Sequence, residues 1–239
     1  MERFLIMKIK IFLDGADRGS MLEMYKNPMV QGFTTNPSLM KKSGIKDYTA
    51  FCQEILTQIP DRPISFEVFA DDFKEMLKQA DKIATWSSNV YVKIPVTNSH
   101  GQPATELVRE LSHRGVKLNV TAIYTLKQVW EVGLALQGGA PSIVSVFAGR
   151  IADTGRDPVP TMLAASEICR GLDRNIELLW ASTREAYNLV QAEQAGCHII
   201  TAPLDMIKKA AAFGKDLEQV SLETVKTFKA DADSAGFSL

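Results

Sequence analysis

Short apolar or alternating runs return along this chain, each followed by a longer stretch of helical spacing. That alternation constrains the fold more than any other feature. The runs are Lys8–Leu13, Val30–Thr35, Ile64–Phe69, Asn89–Ile94, Val116–Val120, Ile143–Phe147, Ile176–Ala181 and His198–Thr201. Between them Phe73, Met76, Leu77, Ala80, Ile83 and Ala84 recur at helical spacing and mark one buried face. Asp72 stands three residues before Glu75, a variant of the capping box. Gly196 follows the helix holding Leu189 and Val190, where a left-handed terminator is expected. Gly138-Gly139 before the sixth run reads as another helix stop, with no G-x-G-x-x-G around it. Strands alternating with such helices build parallel βαβ units, which close into a barrel or spread into a doubly wound sheet. An open sheet gathers its chemistry at one switch point, whereas a barrel draws it from the C-terminal ends of many strands. Here polar residues stand at the ends of at least seven runs, so the expected fold is α/β, a (β/α)8 TIM barrel.

The 239 residues fit the roughly 250 of such a barrel. No linker, low-complexity tract or second composition regime divides them, so one domain over residues 1–239 is expected. A last helix is expected over Ser221–Phe228, ending in a loose Ala230–Leu239 segment. With 46% hydrophobic and 23% charged residues the composition is that of a soluble globular protein. A net charge of −1 without a basic run argues against a nucleic-acid partner, and no apolar run approaches the roughly 18 residues that cross a bilayer. Met1 to Met7 is too short and too charged for a secretory signal, and Met7, just before the first run, is an alternative start. Cys52, Cys169 and Cys197 are odd in number and far apart, which speaks against a disulfide framework or a structural metal and for a reducing, cytoplasmic setting. His100, His113 and His198 show no ligand spacing.

Lys93 interrupts Val90-Tyr91-Val92-Lys93-Ile94-Pro95-Val96, a run that should be nearly all Val and Ile if buried on both faces. Period-2 geometry puts Tyr91 and Lys93 on one face and Val92 and Ile94 on the other. If the latter pair meets the helices, Lys93 points into the barrel. Desolvation favours the neutral amine, the form that attacks a carbonyl to make a Schiff base. A lysine snorkelling to solvent or pairing with a carboxylate is the competing reading.

Other run ends add to this. Asp14 follows the first, where it orients a substrate or caps the next helix. Asn36, before Pro37, presents an amide to the mouth or makes an Asx turn. Glu67 lies on the face opposite Phe66 and Val68, suited to acid–base work or to neutralising Lys93. Asn119 and Thr121 share a face. Ser145, Phe147 and then Arg150, expected in a loop, follow the sixth run; Ser182 and Arg184 follow the seventh. Two arginines and two hydroxyls there suggest an anion site.

Six segments in order along the chain resemble the transaldolase family, especially its short, fructose 6-phosphate aldolase-like members. They are Phe12-Leu13-Asp14, Thr34-Thr35-Asn36-Pro37-Ser38-Leu39, Val92-Lys93-Ile94-Pro95, Asn119-Val120-Thr121-Ala122-Ile123-Tyr124, Val146-Phe147-Ala148-Gly149-Arg150 and Ala181-Ser182-Thr183-Arg184. The resemblance implies dihydroxyacetone transfer between sugar phosphates in the pentose phosphate pathway, with no metal or organic cofactor. It implies Lys93 as Schiff-base nucleophile, Glu67 as acid/base through a water near Thr121, and Asp14 as proton acceptor in C–C cleavage. Asn36 and Asn119 would hold the dihydroxyacetone hydroxyls, Ser145 would face the substrate, and Arg150, Arg184 and Ser182 would grip the phosphate. Glu67 and Phe147 look transaldolase-like, whereas the free aldolases resemble Gln and Tyr there. Ser145-Val146-Phe147-Ala148 departs from the more usual Ser-Pro-Phe-Val, and Thr183 stands where Phe is common. The resemblance also implies a homo-oligomer, a pentamer or decamer, with Val225 and Phe228 of the last helix available for its contacts. A lyase releasing free dihydroxyacetone and a non-catalytic sugar-phosphate-binding paralogue are the alternatives.

Overall fold

The computed structural model describes residues 7–236, so the chain start at Met1–Ile6 and the end at 237–239 lie outside the described residues. Eight parallel strands close into a barrel in chain order: β1 (Lys10–Asp14), β2 (Val30–Thr34), β3 (Ile64–Glu67), β4 (Val90–Pro95), β5 (Leu118–Ile123), β6 (Ser142–Val146), β7 (Ile176–Trp180) and β8 (Ile199–Ala202). β1 pairs with both β2 and β8, which seals the ring. The helices are α1 (Arg18–Tyr25), α2 (Pro37–Lys42), α3 (Tyr48–Gln58), α4 (Phe73–Ala84), α5 (Thr105–His113), α6 (Leu126–Leu136), α7 (Ala148–Asp153), α8 (Val159–Leu172), α9 (Asn188–Gln194), α10 (Leu204–Lys209) and α11 (Leu217–Ala235). This is the expected (β/α)8 TIM barrel. None of these helices is long and apolar enough to cross a membrane.

Strand alternation sets the two layers. Val90, Val92 and Ile94 of β4 join the large core between barrel and helices, and so do Val144 and Val146 of β6. Phe12, Ile143, Leu179 and Ile199 form a separate apolar plug with Tyr91 and Phe147 against it. Phe12 explains why β2 carries a glycine. A Cβ on Gly32 would stand 2.5 Å from the Phe12 ring, so only a residue without a side chain lets the ring fill the barrel. Burying a side chain of this size contributes about 1.5–3 kcal/mol.

Short polar side chains start the helices. Asp17, Asp47 and Asp72 accept backbone N–H bonds at the heads of α1, α3 and α4, and Thr125 with Gln128 closes a capping box on α6. Each such cap is worth about 1 kcal/mol. Gly138 and Gly196 adopt φ of +76° and +72°, as expected of helix stops.

Two expectations need correction. Arg150 sits within α7 and not in a loop. The last helix is longer than Ser221–Phe228, and the Ala230–Ala235 stretch continues it. Asp216 caps its start, Lys229 and Asp233 pair one turn apart along it, and Gly236 ends it at φ +67°. Alanine is the best helix former and Lys–Asp pairs at this spacing add support, which the polar look of Asp231-Ala232-Asp233-Ser234 concealed.

Candidate active site

The C-terminal ends of the strands surround a cavity of about 550 Å3. Its lining includes Asp14, Asn36, Glu67, Lys93, Asn119, Thr121, Ser145, Phe147, Arg150, Ser182 and Arg184, which come from seven strands and the segments that follow them, α7 among them. A cavity of about 650 Å3 elsewhere, between β1, the end of α1 and α10, is lined chiefly by Met, Ile and Ala. The polar cavity is therefore the candidate site.

Lys93 forms its floor. The side chain points inward from the middle of β4 and is buried, with Nζ 3.2 Å from Glu67 Oε2 and donating to the Thr35 carbonyl at 3.0 Å. The reading of Glu67 as the partner that balances Lys93 holds in this structure, and the same contact puts the carboxylate within reach of the amine. β3 and β4 run in register with Glu67 beside Lys93, which sets this contact.

Asp14 occupies the β1 end. It is not a helix cap, since Asp17 caps α1. Thr34 Oγ1 donates to Asp14 Oδ1 at 2.9 Å and lies 2.5 Å from Thr201 Oγ1. Burial pushes the Asp14 carboxyl above its ordinary range, while the Lys93 charge and the Thr34 hydrogen bond pull it partly back. Asn36 does cap its helix: Oδ1 accepts from the Leu39 N–H at 2.9 Å. Its Nδ2 is left as the group that can reach a ligand.

A hydrogen-bonded row crosses the cavity from Ser145 to Ser65. Ser145 Oγ donates to Asn119 Oδ1 at 2.6 Å, and Asn119 Nδ2 donates to Ser65 Oγ at 2.9 Å. The row locks the Asn119 amide with its Nδ2 toward β3. Thr121 Oγ1 is buried with no hydrogen-bond partner among the described residues. Leaving a buried hydroxyl unsatisfied costs about 1–3 kcal/mol; Asn89 Oδ1, Ser112 Oγ and Trp180 Nε1 share that state, and of the four residues only Thr121 lines the cavity.

At the far rim the Arg150 guanidinium lies 5.0 Å over the Phe147 ring. Arg184 is clamped by Asp153 through Nε at 3.1 Å and Nη2 at 2.5 Å. The guanidinium holds the Asp153 carboxyl below its usual range. Ser182 between them has φ of +61°, and Ala122, near the end of β5, has φ of +60°. Both are uncommon conformations for residues with a Cβ, and such strain clusters at functional sites. Gly149 allows the Ser182 turn, because a Cβ there would stand 1.6 Å from the Ser182 carbonyl. Thr183 donates to the Thr201 carbonyl at 2.7 Å, so the residue that departs from the family pattern ties the turn to β8.

Sequence reading missed Ser65, Thr34, Thr201 and Asp153. Ser65 shares the Glu67 parity and was open to discovery by alternation alone; Asp153 becomes visible only once α7 is folded against the Ser182 turn. No group of three or more His, Cys, Asp or Glu side chains among the described residues could hold a metal ion. The three cysteines are free and buried, each thiol pushed up to about 12 mainly by burial, which leaves them unreactive.

Residues 11–239 match the family model described as transaldolase/fructose-6-phosphate aldolase. A probable transaldolase of Dehalococcoides mccartyi is 37% identical over 199 residues, covering 83% of this chain and 88% of the relative. One from Thermoanaerobacter is 34% identical over 231 residues, covering 97% and 100%. Among solved structures, 3-hexulose-6-phosphate synthase from Salmonella typhimurium superposes with a TM-score of 0.58 at 12% identity, over 85% of this chain and 95% of that one. That likeness concerns the fold.

Proposed function

This chain belongs to the transaldolase/fructose-6-phosphate aldolase family, and from that premise we propose that it transfers a dihydroxyacetone unit between sugar phosphates through an imine on Lys93. The observation that carries the reading is the inward, buried Lys93 amine touching Glu67 on the floor of a polar cavity. In the first step Lys93 gives its proton to Glu67, and the neutral amine adds to the C2 carbonyl of the donor ketose. The carbinolamine then loses water as Glu67 returns a proton to the departing oxygen. Thr121 Oγ1 is free to hydrogen-bond that water. The protonated imine next acts as electron sink. Asp14 takes the C4 hydroxyl proton, the C3–C4 bond breaks, and the bonding electrons settle as an enamine while an aldehyde leaves. Attack of the enamine on an acceptor aldehyde, with Asp14 returning the proton, reverses the sequence, and water finally frees Lys93.

Around this centre Asn36 and Asn119 hold the hydroxyls of the dihydroxyacetone unit, and Ser145 fixes the Asn119 amide. Arg150, Ser182 and Arg184 take the phosphate, with Asp153 keeping the Arg184 fork turned toward the mouth. The test is borohydride treatment with fructose 6-phosphate followed by intact-mass spectrometry, alongside transfer to erythrose 4-phosphate. An adduct on Lys93 with sedoheptulose 7-phosphate as product is the expected result. No adduct with any ketose phosphate would overturn the role of Lys93.

Phe147 bears on the choice between transfer and release. An apolar ring offers the enamine no proton, so the carbanion equivalent waits for an aldehyde. Phe147→Tyr is expected to raise release of free dihydroxyacetone by about tenfold, a fraction of what a well-placed acid supplies. An enzymatic assay for free dihydroxyacetone checks this, and no gain would remove Phe147 from the account.

The same reading includes self-association. None of the 19 residues of α11 is buried, and Leu217, Val225 and Phe228 are widely exposed along it. In proteins most helical stability comes from packing an apolar face, and α11 buries no such face among the described residues. On α6, Leu126, Trp130 and Leu134 expose a second apolar stripe at successive turns. We assign both to contacts between copies of this chain. Light scattering is expected to show a multimer that Val225→Glu with Phe228→Glu dissociates; a monomeric wild-type chain would exclude it.

A further inference from the structure

The ladder between β2 and β3 stops one rung early, and the interruption lies beside Lys93. These strands pair only through Phe33 with Ile64 and Thr34 with Ser65, and the Thr35 N–H then donates to the Ser65 carbonyl at 3.3 Å. In a continued parallel ladder the next rung would run from the Glu67 N–H to the Thr35 carbonyl. The Glu67 N–H donates instead to Tyr48 Oη at 2.9 Å, and Tyr48 Oη donates to the Glu67 carbonyl at 3.0 Å. The Thr35 carbonyl, released from the ladder, accepts from Lys93 Nζ.

Tyr48 is the first residue of α3, so the helix start brings its hydroxyl to the gap. Its ring packs edge-on against Phe66 at 6.4 Å and Phe69 at 4.5 Å, and tilts against Trp86 at 6.2 Å. That packing holds the hydroxyl in place. Burial also drives the phenol well above its ordinary value, which keeps the proton on the oxygen.

We propose that Tyr48 is a positioning residue: its hydroxyl satisfies both backbone groups of Glu67 and so frees the Thr35 carbonyl to hold Lys93 Nζ beside the Glu67 carboxylate. Without it, the Glu67 N–H closes onto Thr35 and competes with Lys93 for one oxygen. The amine and the carboxylate then lose their common anchor. The proposal rests on the imine reading of Lys93 and adds to it a residue that touches neither substrate nor reacting atoms.

Tyr48→Phe keeps the ring and removes the hydroxyl, while Trp86→Phe loosens the same aromatic cluster and keeps it. In Tyr48→Phe the single-turnover rate of borohydride-trapped adduct formation, and kcat, are expected to fall about ten- to a hundredfold, with KM for fructose 6-phosphate changed less than about twofold, as for a misplaced reacting group. Trp86→Phe should lose thermal stability without that fall. A Tyr48→Phe rate equal to wild type, or an equal fall in Trp86→Phe, would overturn the proposal. A crystal structure of Tyr48→Phe gives a readout independent of substrate. Glu67 N–H bonded to the Thr35 carbonyl with Nζ displaced is the expected result, and Nζ still bonded to that carbonyl would refute it. Failure of the wild type to form an adduct would count against the imine reading alone, and the crystal structure would still decide the role of Tyr48.

Discussion

Lys93→Met is expected to leave a folded barrel that traps no adduct with any ketose phosphate and turns over on the order of 10^4-fold more slowly, or worse, as when a covalent nucleophile is removed. Methionine keeps most of the stem that fills the floor of the cavity and deletes the amine. The loss should therefore lie in chemistry and not in the fold. A secondary effect on stability follows from the ion pair, because Glu67 Oε2 loses the cation 3.2 Å away. Removing one partner of a buried pair costs about 3–5 kcal/mol, and Glu67, facing a cavity with 20% of its side chain exposed, should fall at or below the lower end. Lys93→Met with Glu67→Gln should recover much of that stability and none of the activity. Trapping, steady-state kinetics and thermal unfolding on the single and double variants separate the two effects. If the single variant kept more than roughly one hundredth of wild-type turnover, the nucleophile would have to be sought elsewhere.

Asp14→Asn should split activity from stability in the opposite sense. The amide accepts the Thr34 hydrogen bond as the carboxylate does, yet cannot take a proton from the substrate. The expected loss in kcat is about 10^2–10^4-fold, the contribution of a positioned general base, while adduct formation with Lys93 persists. Stability should rise near neutral pH. The folded protein holds the Asp14 proton more tightly than the unfolded chain does, because burial raises this carboxyl. The ionised group therefore costs stability above its folded value, and that cost vanishes as pH falls through the value and the carboxyl is protonated. The melting advantage of Asp14→Asn should accordingly be present at pH 7 and shrink as pH is lowered. An advantage that grew toward acid pH would contradict the assignment of burial as the leading cause. The same raised carboxyl is expected to place the acid limb of wild-type activity above the ordinary aspartate range, which a pH–rate profile of kcat/KM, the quantity that reports the free enzyme, measures.

These variants bear on how the site is built. The strands present their chemistry by alternation, and each element does two jobs. On β4, Val92 and Ile94 pack outward against the helices and so direct Lys93 inward. On β5, Asn119 and Thr121 share a parity that puts both in the cavity, one held by Ser145 and Ser65 and the other with its hydroxyl unpartnered among the described residues. Asn36 caps α2 through its oxygen, so the structural reading of that residue is correct, and it also lines the cavity. Asp14 resolves the other way, since Asp17 takes the cap and the Asp14 carboxylate accepts from Thr34 at the cavity wall.

Period-2 and 3.6 spacings, caps and glycine stops are local properties, and they were enough to place eight strands within a few residues and to turn Lys93 into the barrel. The polar residues at the strand ends were legible for the same reason, because alternation assigns a face to every residue of a strand. Where backbone detail depended on neighbours, local reading failed. Ala230–Ala235 extends a helix through ion pairing and capping that composition hid, and Arg150 lies on a short helix whose start needs Gly149 against the Ser182 carbonyl. Tertiary structure alone decided the rest. Closure of β1 on β8 brings Thr201 to Thr34, 167 residues away, and α7 delivers Asp153 to Arg184. The early end of the β2–β3 ladder puts Tyr48 between Glu67 and Thr35. Such contacts join residues far apart in the chain, and their distances follow from how the ring closes and how its loops fold back, which no local pattern of residues encodes.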